Sequence, residues 1–229
     1  MKTIGLIGGM SWESTVPYYR LINETIKARL GGLHSAKIVL YSVDFHEIEQ
    51  WQRVGDWEAA GQSLAQAASA LQLAGADFLV LCTNTMHKVA SAIEAVVSIP
   101  LLHVVDATAA DIRAAGFSKV GLLGTRFTME QAFYTDHLLR CGLQVLTPDQ
   151  QDRDLVHRVI YQELCLGEIH NDSREAYRRI MADLVEQGAQ AIILGCTEIA
   201  LLVDQNDASV PLFDTTAIHA RKAAEMALT

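Results

Sequence analysis

Short apolar runs alternate with longer amphipathic segments along the whole chain. The first run, residues 2–7, ends at Gly8-Gly9, and the segment 14–30 that follows has helical character and stops at Gly31-Gly32. The same rhythm predicts strands at 2–7, 37–43, 77–81, 100–104, 119–123, 143–146, 190–194 and 210–213. It predicts helices at 14–30, 57–74, 85–96, 129–140, 149–166 and 172–187, a short helix after 194 and a final helix after 213. Strands that alternate with helices in this way predict a parallel sheet covered on both faces, an α/β fold.

Three short motifs occur twice in the same order. They are GLIGG at 5–9 and GLLGT at 121–125, LCTNT at 81–85 and GCTE at 195–198, and IPLL at 99–102 and VPLF at 210–213. The offset between the two copies of each motif is nearly constant along the chain. This repeat predicts two similar α/β domains with parallel sheets, related by a pseudo-two-fold axis, with the active site in the cleft between them. We assign 1–99 and the C-terminal helix 214–229 to the first domain, and 100–213 to the second.

Polar turns follow several predicted strands, at the edge of the sheet where α/β proteins bind ligands. Cys82 and Cys196 lie in two of these turns, each in a Cys-Thr context and before a predicted helix whose N-terminus favours a thiolate. A single cysteine after an apolar strand is usually a small buried hydrophobe, which is how we interpret Cys141. The shared context in two similar halves instead predicts that Cys82 and Cys196 are catalytic. The turn residues predicted to bind the substrate are Met10, Thr83, Asn84, Thr85, Thr125, Thr197 and Glu198.

Composition narrows the class of function. The net charge is −9 and no Lys/Arg cluster is present, which disfavours a nucleic-acid partner. No apolar run reaches the roughly 20 residues of a membrane span, and the start has no signal-peptide pattern, so we expect a cytoplasmic protein with reduced thiols. GLIGGM lacks the glycine spacing of the dinucleotide fingerprint, and HEIEQ at 46–50 lacks the second histidine of the zinc-protease motif. No metal site is predicted.

The combined motifs resemble those of the aspartate/glutamate racemase family. The residues that carry the resemblance are GGMSWES at 8–14, CTNTMH at 82–87 and GCTE at 195–198, and the similarity extends over essentially the whole chain. The resemblance implies two similar α/β domains with a cofactor-free active site between them, in a homodimer. It implies no pyridoxal phosphate, and none of the lysines lies in a motif typical of that cofactor.

Racemisation removes the α-proton from one face of Cα and returns a proton on the other face. Two thiols on opposite faces are sufficient for this chemistry if one is thiolate while the other is thiol, and a helix terminus that lowers a thiol pKa modestly makes it a competent base. Backbone amides together with Thr83, Asn84, Thr85 and Thr197 are predicted to stabilise the carbanion-like transition state.

Two positions depart from the family pattern and affect the expected substrate. Typical aspartate racemases carry a lysine two places before the glycine that corresponds to Gly167, and this chain has Cys165 there. Where an arginine often follows the second strand, this chain offers Gln52 and Arg53. We therefore predict substrate contacts from Gln52 and Cys165, and we expect glutamate or a broader range of amino acids rather than aspartate alone.

Two alternatives remain open. One is a related enzyme that uses paired cysteines on another acid, such as a maleate isomerase or a hydantoin racemase. The other is a catalytically silent amino-acid-binding module, for which the loss of a cysteine would be the signature.

Overall fold

A computed structural model describes residues 1–229. The eight strands are β1 (Thr3–Gly8), β2 (Lys37–Ser42), β3 (Phe78–Leu81), β4 (Leu101–Leu102), β5 (Lys119–Gly124), β6 (Gln144–Leu146), β7 (Ala191–Gly195) and β8 (Leu212–Asp214). The eleven α-helices are α1 (Trp12–Leu30), α2 (Phe45–Val54), α3 (Trp57–Leu73), α4 (Ala90–Glu94), α5 (Val104–Ala114), α6 (Arg126–Glu130), α7 (Ala132–Arg140), α8 (Gln150–Gln162), α9 (Asn171–Glu186), α10 (Ile199–Leu202) and α11 (Thr215–Leu228). Short 3₁₀ helices span Thr85–Val89, Leu164–Leu166 and Gln205–Asp207. None of the helices combines the length and apolar character needed to cross a bilayer.

The chain forms two compact units. The first unit comprises Met1–Val104 and His219–Thr229, and the second comprises Val105–Ile218. Each unit holds a four-stranded sheet, in the order β2-β1-β3-β4 in the first and β6-β5-β7-β8 in the second. Every strand pair in both sheets is parallel. The predicted α/β class with two similar parallel sheets is confirmed, and the domain limits read from the sequence repeat stay a prediction.

The core of the first unit lies on both faces of its sheet. Because side chains alternate between the faces of a strand, Leu79 and Leu81 of β3 join one apolar cluster, which also contains residues of α3. Phe78 and Val80 join a second cluster, formed with side chains of α1 and of α11. Cys82, immediately after β3, continues this alternation and belongs to the second cluster.

The structure differs from the sequence prediction in several helices. It contains α2 and α5, which the apolar pattern did not predict. The sequence of α2 is mostly polar, and α5 begins at Val104, which was predicted to be the last residue of a strand. The predicted helix 85–96 is a 3₁₀ helix followed by the short α4. The predicted helix 129–140 is interrupted at Gln131, which has the extended dihedral angles that end α6.

The turn after β1 depends on Gly9. Gly9 has φ +93°, a backbone conformation that favours glycine, and a side chain there would clash with the backbone of Val43. The amide of Gly9 donates to Thr15 Oγ1 at 2.9 Å, and the amide of Val43 donates to the Gly8 carbonyl at 3.0 Å. These bonds fix the backbone where Met10 leaves the strand.

Candidate functional site

The carboxyl end of β3 carries the turn formed by Cys82, Thr83 and Asn84. The Thr83 amide donates to the Leu81 carbonyl at 2.8 Å, which turns the chain sharply at the end of the strand. Thr83, Asn84 and Thr85 are all buried, as is Met10 at the end of the neighbouring β1. The first unit thus brings these predicted substrate-binding residues to one edge of its sheet, where the site was expected.

Cys82 points away from this turn and into the core. It is 0% exposed and packs in the apolar cluster that contains Tyr18 of α1 and Ala220 of α11. Its Sγ lies 3.9 Å from the Val80 carbonyl oxygen, and burial raises the pKa of the thiol. Without movement of the surrounding core, a thiol in this position is a small hydrophobic side chain rather than a base that meets a polar substrate.

The registers of the two sheets show which residues are equivalent. Gly5 of β1 pairs with Leu79 of β3, and its repeat counterpart Gly121 of β5 pairs with Ile192 of β7. Leu79 therefore corresponds to Ile192, and the two strands can be aligned from this pair onward. The backbone supports the alignment, because the Leu79 amide donates to the Pro100 carbonyl and the Ile192 amide donates to the Pro211 carbonyl.

This register corrects the motif alignment by one residue. Cys196 corresponds to Thr83, and Cys82 corresponds to Gly195. The sequence contained the signal in the Gly-Ala pairs that begin at Gly75 and Gly188. Thr83 follows Gly75 at the same spacing at which Cys196 follows Gly188, whereas aligning the two cysteines made these spacings unequal.

The second unit places Cys196 beside a carboxylate. Cys196 follows β7, is 8% exposed, and its thiol donates to Glu198 Oε2 at 3.0 Å. The Thr197 hydroxyl donates to the same oxygen at 2.6 Å. Burial, the Glu198 charge and the nearby Cys165 thiol raise the pKa of Cys196 well above its usual range.

Cys165 reaches this carboxylate from a distant part of the chain. It lies in the 3₁₀ helix Leu164–Leu166, and its Sγ is 3.8 Å from Glu198 Oε1. Tyr134 and Tyr177 are fully buried. Burial raises the pKa of both phenols, and the electrostatic interaction with Cys196 raises it further. The second unit therefore brings together Cys165, Cys196, Thr197 and Glu198, all of which the sequence had marked.

The remaining predicted residues have structural contacts of their own. Thr125 is the N-cap of α6, where its Oγ1 accepts from the Thr128 amide at 3.3 Å. Gln52 is buried near the end of α2, and its side-chain amide donates to Met86 Sδ at 3.0 Å. The alternative specificity candidate, Arg53, is exposed.

The thiol pKa values differ from the sequence expectation. We expected a helix terminus to lower them, yet burial raises the pKa of both Cys82 and Cys196. The helices after the two cysteines are too short to offset burial, since α10 has four residues and the 3₁₀ helix after Asn84 has five. A thiolate at Cys196 therefore needs positive charge that the surrounding burial does not provide.

Sequence comparison identifies the relatives of the chain. The model of the family described as Asp/Glu/Hydantoin racemase matches residues 7–223. The broad specificity amino-acid racemase RacX of Bacillus subtilis is 26% identical over 225 residues, which cover 95% of each chain.

Structure comparison gives neighbours over the full length. A Yersinia pestis protein that carries a provisional Asp/Glu racemase name is 63% identical, with a TM-score of 0.93 and complete coverage of both chains. An aspartate racemase homologue from Pyrococcus horikoshii is 36% identical, with a TM-score of 0.86 and complete coverage of both chains. A glutamate racemase from Francisella tularensis, solved with D-glutamate, is 15% identical at a TM-score of 0.66, covers 98% of this chain and 80% of its own, and shares the fold.

Proposed function

The chain belongs to the Asp/Glu/Hydantoin racemase family, and on this premise we propose that it racemises an amino acid without a cofactor. The reaction removes the α-proton from one face of Cα and returns a proton on the opposite face. The observation that carries the proposal is the Cys196 thiol, which donates at 3.0 Å to Glu198 at the carboxyl end of β7.

Cys196 acts on one face of the substrate. A thiol with a raised pKa rests in its protonated form and is a proton donor, so its action as a base requires added positive charge nearby. The substrate's α-ammonium group supplies that charge and offsets the negative charge of Glu198. With this charge in place the thiol releases its proton to solvent. The thiolate then removes the α-proton and becomes the thiol, which returns a proton to Cα in the reverse reaction.

Thr83 is our candidate for the second face, because the sheet registers make it the counterpart of Cys196. A hydroxyl can donate a proton but is a much weaker base than a thiol. The alternative second group is Cys82, as the motif predicted, and it would have to leave the core cluster in which it packs. Thr83 lies in the polar turn and is not a member of that cluster.

The substrate class is an α-amino acid with a polar or acidic side chain, and glutamate is included. Cys165 lies next to Glu198 at the position where typical aspartate racemases carry a lysine. This favours a broader range over strict aspartate preference, in line with the broad specificity of the relative RacX. A homodimer and a cytoplasmic location stay predictions from the sequence.

Proton NMR in deuterium oxide tests the proposal directly. Each enantiomer of aspartate, glutamate, glutamine and alanine is incubated with the protein, with 5-substituted hydantoins and maleate as the alternative substrates. We expect α-deuterium exchange accompanied by inversion for at least glutamate, and loss of both in Cys196→Ala. The absence of exchange with every amino acid, or turnover of hydantoin or maleate alone, would overturn the assignment.

The two faces can be separated because exchange and inversion are different measurements. The equilibrium constant between enantiomers is one, so kcat/KM is equal in the two directions and cannot reveal a difference between the faces. Exchange with retention of configuration requires only the base on the face of the α-proton. We expect the enantiomer whose α-proton faces Cys196 to exchange faster than it inverts, because a hydroxyl completes inversion on the other face.

A further inference from the structure

His87 is a buried histidine next to the turn that carries Thr83. It lies in the 3₁₀ helix Thr85–Val89, and its ring Nδ1 is 2.7 Å from the Thr83 carbonyl oxygen. Its Nε2 is 3.2 Å from the backbone nitrogen of Val104, where β4 gives way to α5. One imidazole thus connects the turn after β3 with the beginning of α5.

These two partners define the tautomer of His87. A backbone N–H only donates, so Nε2 accepts the bond from Val104 and carries no proton. Nδ1 therefore carries the ring proton and donates it to the Thr83 carbonyl, which only accepts. A doubly protonated ring would direct an N–H at the N–H of Val104, so this geometry fits neutral His87.

His87 forms hydrogen bonds with two consecutive backbone carbonyls of the turn. Its ring holds the Thr83 carbonyl, and its own amide donates to the Asn84 carbonyl at 3.1 Å. The Thr83 amide is already bonded to Leu81. These backbone bonds restrict the direction of the Thr83 hydroxyl, because a β-branched side chain has few rotamers once its backbone is fixed.

The segment around Val104, whose amide donates to Nε2 of His87, has further hydrogen bonds. The Leu102 carbonyl accepts from His219 Nε2 at 2.8 Å, so His219 Nδ1 accepts from the Tyr18 hydroxyl at 3.0 Å. Burial lowers the pKa of His219 to about 4, and this ring is neutral at physiological pH. The ring of His87 also packs edge-on against His103, with 4.4 Å between the centroids.

The equivalent turn in the second unit has no such histidine. The same register places Ala200 of α10 opposite His87, and the turn after Cys196 is closed by a bond from the Ile199 amide to the Cys196 carbonyl. The imidazole bond is therefore specific to the turn that carries the hydroxyl. A hydroxyl is the weaker acid–base group, and its contribution depends more strongly on its orientation to the substrate.

We propose that His87 is a positioning residue for the racemase: its neutral ring, donating from Nδ1 to the Thr83 carbonyl, fixes the turn that directs the Thr83 hydroxyl to one face of the substrate. This rests on the proposed function. His87 itself transfers no proton to or from the substrate.

Two substitutions separate the two ring bonds. In His87→Asn the amide nitrogen is at the same distance along the side chain as Nδ1, so it can keep the bond to Thr83 and loses the bond to Val104. In His87→Gln the terminal oxygen is at the position of Nε2, so it can keep the bond from Val104 and loses the bond to Thr83. Leu71→Ala is the control for lost stability, since it truncates a buried side chain of the same unit at the end of α3, before β3 begins.

Inversion and exchange with retention are measured by proton NMR for the three variants, with the melting temperature of each. Since misplacement of a reacting group can cost up to about 100-fold, we expect His87→Gln to invert at least about tenfold more slowly than His87→Asn. Exchange with retention at the face of Cys196 should stay within about threefold in both. Leu71→Ala should lower the melting temperature and leave inversion within about threefold of wild type.

Equal inversion rates in the Asn and Gln variants would overturn the proposal, as would a loss of exchange at the face of Cys196 in proportion to inversion. A second readout is independent of activity: amide hydrogen exchange of peptides that cover 81–86. We expect faster exchange there in His87→Gln than in His87→Asn, and identical exchange in the two would also refute the positioning role. If wild type inverts no amino acid while this difference is present, the proposed function fails and the positioning of the turn stands.

Discussion

The two Cys-Thr dipeptides of this chain, at 82–83 and 196–197, are identical in sequence, but their cysteines lie in different environments. Cys82 packs in the core of the first unit, against α1 and α11, and its thiol has the Val80 carbonyl at 3.9 Å. The Cys196 thiol donates to Glu198 Oε2 at 3.0 Å, in a cluster that also includes Cys165 and Thr197. The difference teaches that the position in the strand alternation, rather than the local motif, decides whether a thiol packs in the core or lies beside polar side chains.

The comparison also shows how a repeat can diverge within one chain. Equivalent turns carry Thr83 in the first unit and Cys196 in the second, followed by Asn84 and Thr197. In the first unit an imidazole donates to the backbone carbonyl of the threonine, whereas in the second unit a carboxylate accepts directly from the thiol. We infer that the two faces of the substrate are served by groups of unequal basicity.

Removing the Cys196 thiol should have the largest effect. We expect Cys196→Ala to lower inversion by about 10³-fold or more, because loss of a positioned general acid–base group costs roughly 10²–10⁴-fold. Exchange from the enantiomer whose α-proton faces this thiol should fall by a similar factor. NMR in deuterium oxide measures both, and an inversion rate above a tenth of wild type would exclude Cys196 as the base.

Thr83→Val should separate inversion from exchange. Valine keeps the shape of threonine and lacks the hydroxyl, so inversion should fall by about 100-fold. Exchange with retention at the face of Cys196 should persist within about threefold, since the thiol is intact. The companion variant Thr83→Cys introduces a thiol at this position. It should raise the ratio of inversion to exchange above that of wild type. Wild-type inversion in Thr83→Val would remove Thr83 from the chemistry.

Cys165→Lys tests the carboxylate of the second unit. The new ammonium group would lie near Glu198, where the Cys165 thiol is now 3.8 Å from Oε1. A charge-assisted hydrogen bond between this ammonium group and the side-chain carboxylate of aspartate is worth about 1–3 kcal/mol. That corresponds to roughly 5- to 150-fold in preference for aspartate over a neutral amino acid. Cys165→Met is the control, since it adds length without charge. The same kcat/KM ratio in the two folded variants would leave Gln52 and Arg53 as the specificity candidates.

Cys82→Ala should have the smallest effect on activity and provides the sharpest test of the comparison. We expect inversion within about threefold of wild type and a loss of about 1–2 kcal/mol in the free energy of unfolding, because the substitution leaves a small cavity in the core. Chemical denaturation measures the stability. If inversion instead fell as far as in Cys196→Ala, the two-thiol mechanism predicted from the motifs would be correct and Thr83 would be a substrate contact.

The sequence predicted the fold more completely than the site. Apolar runs and glycine stops were sufficient for both sheets, and the repeated motifs identified their equivalence. The α5 helix was missed because Val104-Val105 extends an apolar run, and local periodicity cannot tell the end of a strand from the start of a helix. The contacts among Cys196, Thr197 and Glu198 could be anticipated because the three residues are adjacent in sequence.

The sequence by itself determined the α/β architecture, the internal repeat and the polar turns, because these depend on local periodicity and on residues close together in the chain. The side of the sheet that each side chain faces was decided by the register of β3 against β1, a pairing between segments that are far apart in the sequence. A shift of one residue reverses the faces of a strand, which is why the motif alone assigned Cys82 to the site and the tertiary structure places it in the core. The contacts of Glu198 with Cys165 and of His87 with Val104 likewise arise only when distant segments fold together.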